Sequence, residues 1–249
     1  MRRLRSALAE GEKRAVEIAA KLKPFEVACR EQSGQHLAKA SDDFRRATRD
    51  FDALLQHFYL FSCCHWGCHG KEHVFENLAG RSLSHLVSSH RLILSGYYDE
   101  SMSLVRSVGE IANLLNLFWV ENAAVRAWLD ASQKKRMREF SPYAVRKRLR
   151  DHDWLIPFDD DHYRRLCETV VHPTPETRPN AHDNERQPVL GAYFQAEGFE
   201  TASWELYWAL AAVAGPTAKL AILQQEQAEK MVELTIPLFE IAAEYVDNP

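Results

Sequence analysis

The sequence predicts an all-α protein that folds as one domain over residues 1–249, and three observations carry that expectation. Apolar residues recur at three- and four-residue spacing almost throughout, with no convincing two-residue alternation of a strand. The breaks between periodic segments carry helix punctuation: serines placed to cap, and glycines and prolines placed to stop. The composition, 46% hydrophobic and 27% charged, is that of an ordinary globular chain long enough to bury a core.

The same bookkeeping excludes several function classes. A net charge of −4 is not that of a polycation that clings to nucleic acid along its whole length. The longest strongly apolar run, "WALAAVAG", falls far short of the ~20 residues needed to cross a bilayer. The basic start, "MRRLRSALAEGEKRAVEIAA", lacks the apolar core of a signal peptide. A cytoplasmic protein without a membrane partner is expected. Five cysteines, an odd number without a framework spacing, read as thiols or metal ligands. There is no glycine-rich phosphate loop, GxSxG elbow, HExxH or dinucleotide fingerprint, so no cofactor is expected.

Taken in order, a first amphipathic helix is expected at about 3–22, with Pro24 as its break. A second begins after Ser41, whose hydroxyl can cap it, with Asp42 and Asp43 in the first turn. Past the "CCHWGCHG" interruption, a third runs from about 72 to 94, closed by Gly96, and a fourth covers about 98–121. A fifth spans about 122–139. A sixth opens at Ser141-Pro142, a cap followed by proline in the first turn. A seventh covers about 159–171, then a proline-studded loop runs from His172 to Gly198. Two last helices, about 199–214 and 216–246, are expected to part at Gly215-Pro216.

The fourth helix reads as the centre of the fold. Leu104, Val108, Ile111, Leu115 and Phe118 make one apolar stripe, widened by Val105, Ala112 and Trp119. Arg106, Glu110, Asn113 and Leu117 share the opposite arc. That arc is either a solvated back with an Arg–Glu pair or a polar pocket facing a second layer of helices.

The segment "HRLILSGYYDESMSLVRSVGEIANLLNLFW" (His90 to Trp119), followed later by "YRRLCETVVHP" (Tyr163 to Pro173), resembles a family of bacterial all-helical proteins in or near the HEPN group. The resemblance covers about residues 70–173. It implies a HEPN-like antiparallel bundle with its core at about 70–246 and added N-terminal helices at 1–62. It also implies a homodimer, metal-independent RNA cleavage, and a toxin or phage-defence role with an antitoxin or defence-system partner. A non-catalytic binding or regulatory module of such a system is the alternative. Nuclease members carry an arginine, four to six residues, then a histidine; Arg165 and His172 fit with six between them. Leu166 stands where the nuclease pattern commonly has a polar residue.

The chemistry suits the residue types. Cleaving RNA without metal needs a base for the 2′-hydroxyl and a cation for the phosphate. His172 is the candidate acid/base, and Arg165 or Arg164 the candidate cation. A spacing of seven sets His172 and Arg165 roughly 10 Å apart along a helix, so a compact site would need two subunits. Arg106, Glu110 and Asn113 would form a supporting polar pocket. His172 could equally just cap the last carbonyls of its helix. The stretch "KKRMREFSPYAVRKRLR" holds eight Lys/Arg against Glu139. Lys134, Lys135, Arg136, Arg146, Lys147 and Arg148 are the candidate RNA contacts, with Phe140 and Tyr143 placed to stack. The aspartates at 151, 153 and 159–161 could instead pair with them. In "CCHWGCHGKEHVFE", the cysteines at 63, 64 and 68 and the histidines at 65, 69 and 73 are zinc-type donors that would need a further ligand from elsewhere; the plainer reading, and the expectation, is a cysteine- and histidine-rich helix junction without metal. Arg178, His182 and Arg186 in the long loop could close over an anion near His172, or the loop could be idle.

Overall fold

A computed structural model describes residues 2–65, 72–175, 179–221 and 225–246, with side chains described from Ile18 onward, Ala19 excepted. The helices are α1 (Arg2–Leu37), α2 (Asp42–Ser62), α3 (Val74–Leu94), α4 (Tyr98–Val120), α5 (Ala123–Asp130), α6 (Gln133–Glu139), α7 (Pro142–Asp151), α8 (Asp160–Leu166), α9 (Ala196–Leu220) and α10 (Gln225–Val246). A π turn, Cys167–Val171, continues α8. Among the described residues there is no strand, only one isolated antiparallel bridge, His182 to Pro188.

Helix α9 is the hub. It packs against α4, α10, α3 and α2. Nearly its whole surface is buried, from Phe199 through Ala214, as expected of a helix apolar on every side. Helix α4, expected at the centre, is its largest neighbour. The fully buried stripe of α4 is Val105, Val108, Ala112, Leu115 and Phe118, while Leu104 and Ile111 are only half-buried and Trp119 is exposed. Leu117, assigned to the polar arc, is fully buried as well. Helix α4 is therefore enclosed on both sides.

Several boundaries match their local chemistry. The Ser41 hydroxyl accepts from Phe44 N and Ser141 from Ala144 N, and Pro142 sits in the first turn of α7. Others differ. Helix α1 runs through Pro24; that stretch faces solvent, where water can take the carbonyl that loses its N–H partner. Helix α9 likewise runs through Gly215-Pro216 and ends at Leu220. Beside the proline, the Thr217 hydroxyl donates to Val213 O at 2.7 Å. The expected helix at 122–139 is two, because Ala131 is extended and Ser132 caps α6 through Lys135 N. The seventh helix changes pitch at Cys167, so that His172 N bonds Cys167 O at 2.7 Å and the chain leaves extended.

The segment between α7 and α8 is clamped onto the core. Asn113 Nδ2 donates to Phe158 O at 2.7 Å, and Phe158 N donates to Asn113 Oδ1 at 3.2 Å. Trp208 Nε1 donates to Pro157 O at 3.0 Å, and Trp154 Nε1 to Asn116 Oδ1 at 3.3 Å. Phe158 lies directly on Gly109, where an added Cβ would sit 2.5 Å from the ring. Gly109→Ala should therefore lose about 1–3 kcal/mol through overpacking. Asn113→Leu, which orphans two buried backbone groups, should lose about 2 kcal/mol or more. Chemical denaturation measures both, and parental midpoints would contradict the clamp.

Candidate functional site

Helix α8 presents two polar faces. Towards α4 and α7, Tyr163 and Cys167, four residues apart, meet Arg106 and Glu110, also four apart. Arg106 Nε donates to Cys167 Sγ at 3.1 Å, its Nη2 donates to the Tyr163 hydroxyl, and the same nitrogen lies 2.9 Å from Glu110 Oε1. Tyr163 OH donates to Glu110 Oε1 at 2.9 Å. The Tyr163 ring lies between two guanidinium groups, Arg106 at 4.6 Å and Arg146 at 4.2 Å from its centroid. Burial, reinforced by the Glu110 charge, pushes the Tyr163 hydroxyl up to about 12.

Towards α9, His162 Nε2 lies 2.7 Å from Glu205 Oε2, and Arg165 Nη1 lies 2.9 Å from Glu205 Oε1. Glu205 is only 2% exposed. The His162 ring stacks on Phe158, with centroids 4.5 Å apart and planes at 20°. His162 and Glu205 were not singled out in the sequence, because their pairing links positions 43 residues apart. The only local signal was a charged residue inside the apolar run of α9.

A cleft of about 640 Å³ opens beside this pair, and Arg164, Arg165 and His162 line it. Asp159, Asp161 and Glu168 line it too, so its carboxylates outnumber its guanidinium groups. Arg164 is paired with Asp161 at 2.7 Å, and Arg165 with Glu205. A phosphate entering here would meet Arg165 already committed to a buried carboxylate, and Arg164 in a surface pair with Asp161. His172 does not line the cleft; it is exposed on extended backbone past the π turn. Arg165 therefore lines this cleft without His172. The third expected pocket residue, Asn113, is the backbone clamp on Phe158 and belongs to neither polar face of α8.

The basic stretch divides in the same way. Arg146 is 6% exposed and donates from Nε to Asp160 Oδ1 at 2.6 Å, so it belongs to the interior and not to an RNA-facing surface. That bond holds the Asp160 carboxyl below the usual carboxylate range, despite burial that opposes it. Arg148 pairs with Glu121 at 2.6 Å and lies over the Phe140 ring. Lys135 lies 3.8 Å from Glu139, and Arg136 donates to Ala131 O. Lys134 and Lys147 are exposed.

The long loop folds against the start of α4. Asn180 donates from N and Nδ2 to Asp99, Gln195 N donates to Tyr98 OH, and Ala181 and Ala192 are buried. His182 and Arg186 are carried on a turn closed by Asp183 and Gln187; Arg178 lies outside the described residues. In the Cys/His-rich segment, Cys64 and His73 approach one another and Glu76, while Cys63 and His65 are exposed, and Cys68 and His69 lie outside the described residues.

The sequence also gave no warning of an apolar groove. Trp119 and Gly215 are shared by two adjoining hollows of about 220 and 500 Å³. Their walls are Leu155, Pro157 and the α10 residues Val232, Ile236 and Phe239. Leu155 is 56% exposed and Ile236 50%. Carboxylates of Glu229, Glu233 and Glu240 edge the groove, against one lysine, Lys219.

The chain matches no protein-family model, no curated protein and no solved structure. No helix among the described residues is long and apolar enough to cross a membrane.

Tyr98 and Tyr207, like Tyr163, are pushed up to about 12 by burial, from an ordinary 10.0. A raised acid favours the folded state fully below pH 10 and loses that contribution as pH climbs towards 12. Stability should therefore hold to about pH 10 and then fall, with a shallower fall in Tyr163→Phe. Denaturation midpoints across that range measure it; a flat profile to pH 12 would contradict the burial assigned to these rings.

Proposed function

We propose that the protein is a non-catalytic helical binding module that holds a basic amphipathic helix of a partner protein in the Trp119 groove. The observation that carries this reading is the exposure of Trp119, Leu155, Val232 and Ile236 around two adjoining hollows that share Trp119 and Gly215. Contiguous exposed apolar surface of this kind marks interaction sites. Val232, Ile236 and Phe239 repeat at four and three residues, which suits knobs from a helix laid along α10. The carboxylate edge favours a partner with lysines and arginines flanking its apolar face. The setting, a defence or stress system in the cytoplasm, rests on the HEPN resemblance alone.

Fluorescence anisotropy with a labelled model helix of leucine and lysine, beside one of leucine and glutamate, tests the reading. The basic peptide should bind more tightly, and Ile236→Asp should weaken it at least about tenfold, as loss of a central apolar anchor does. Equal binding of both peptides, or indifference to Ile236→Asp, would contradict it.

The second reading is a HEPN-like, RNA-cleaving homodimer, favoured by one observation: His172 stands exposed on extended backbone, where a second subunit could bring a cation to it. Labelled total RNA, incubated with and without chelator beside His172→Ala, separates the two. The binding module leaves RNA intact in every arm. Cleavage that survives chelation and vanishes in the variant would replace the first reading with the second.

A further inference from the structure

We propose that Cys64, His73 and Glu76 form a zinc site that pins the end of α2 to the start of α3. The three side chains come from the two ends of one connection. Cys64 follows α2, His73 immediately precedes α3, and Glu76 is in the first turn of α3. One ligand atom from each lies within 4.8 Å of the others, with Cys64 Sγ 4.0 Å from His73 Nδ1. Tetrahedral zinc, with bonds of ~2.3 Å to sulfur and ~2.0 Å to nitrogen, sets those two atoms about 3.5 Å apart. Cys64 and His73 would close by about half an ångström, and Glu76 would move in beside them from within 4.8 Å.

The donor chemistry selects the metal. A thiolate, an imidazole and a carboxylate suit zinc, whereas magnesium and calcium take oxygen ligands alone. Glu76 is 4% exposed, so its carboxylate is held inside the fold beside the other two donors. On binding, the Cys64 thiol gives up its proton to solvent and its sulfur bonds the metal. One thiolate and one carboxylate then balance a divalent ion to neutrality. Cys64 and His73 are partly exposed, so the ion has a route in.

Elemental analysis of the full chain, and titration of the metal-stripped chain with cobalt(II), test the site. The expected result is about one zinc per chain, and a thiolate-to-cobalt charge-transfer band that persists in Cys63→Ser and disappears in Cys64→Ser. Because Cys64 lies outside the core, the serine variant should keep the parental helical circular dichroism. A chain that takes up neither metal, or a band unchanged in Cys64→Ser, would overturn the proposal. Neither result bears on the Trp119 groove.

Discussion

A single carboxylate inside the most enclosed helix sets the arrangement of the whole active-looking region. Helix α9 is sheathed by α4, α10, α3 and α2, and Glu205 lies within it at 2% exposure. A carboxylate there must be compensated, and both compensating groups, His162 and Arg165, come from α8. This fixes the rotation of α8 on α9. With that face committed, Tyr163 and Cys167 must point the other way, onto Arg106 and Glu110 of α4. Removing one partner of such a buried group commonly costs about 3–5 kcal/mol, so the arginine is not readily surrendered to a passing phosphate.

That constraint reorders the functional readings. Arg106, Arg146, Arg148 and Arg165 each have a carboxylate within 2.9 Å. Of the cations that the residue pattern offers to RNA, Arg146, Arg148 and Arg165 are spent on carboxylates of other elements, while Lys134 and Lys147 stay on the surface. Apart from these lysines, the surface presents an apolar face: Trp119, Leu155 and the exposed ridge of α10. A groove of this kind draws its affinity from dehydrated apolar area and its selectivity from the charges at its edge. The His172 loop is a separate feature, carried outward by the change of pitch at Cys167.

Much of the helical plan was legible because its signals are local. Ser41, Ser141-Pro142 and the span of α4 follow from caps and periodicity within a few residues. Pro24 and Pro216 misled for the opposite reason. A proline disfavours a helix locally, but solvent at Pro24, and packing at Pro216, supply what the local rule cannot see. The prominence of α9 was visible in "WELYWALAAVAG", whose apolar character covers every face. The site was largely illegible. Asn113 reads as one polar residue on the back of a helix, and becomes a clamp only when Phe158 returns 45 residues later. Arg146 was legible only as an alternative: the aspartates at 159–161 could pair with the basic stretch, and it is Asp160 that reaches Arg146. The Trp119 groove joins residues of α4, the 154–158 segment, α9 and α10, so no window of sequence contains it.

The most direct measurement of the central claim is a double-mutant cycle on Arg165 and Glu205, using Arg165→Met, Glu205→Gln and the pair, read as unfolding free energies. The account predicts a coupling of about 1 kcal/mol or more, with the double variant losing less than the sum of the singles. Strictly additive losses would show that Glu205 does not hold Arg165. The Arg165 guanidinium would then be free to meet an anion in the cleft.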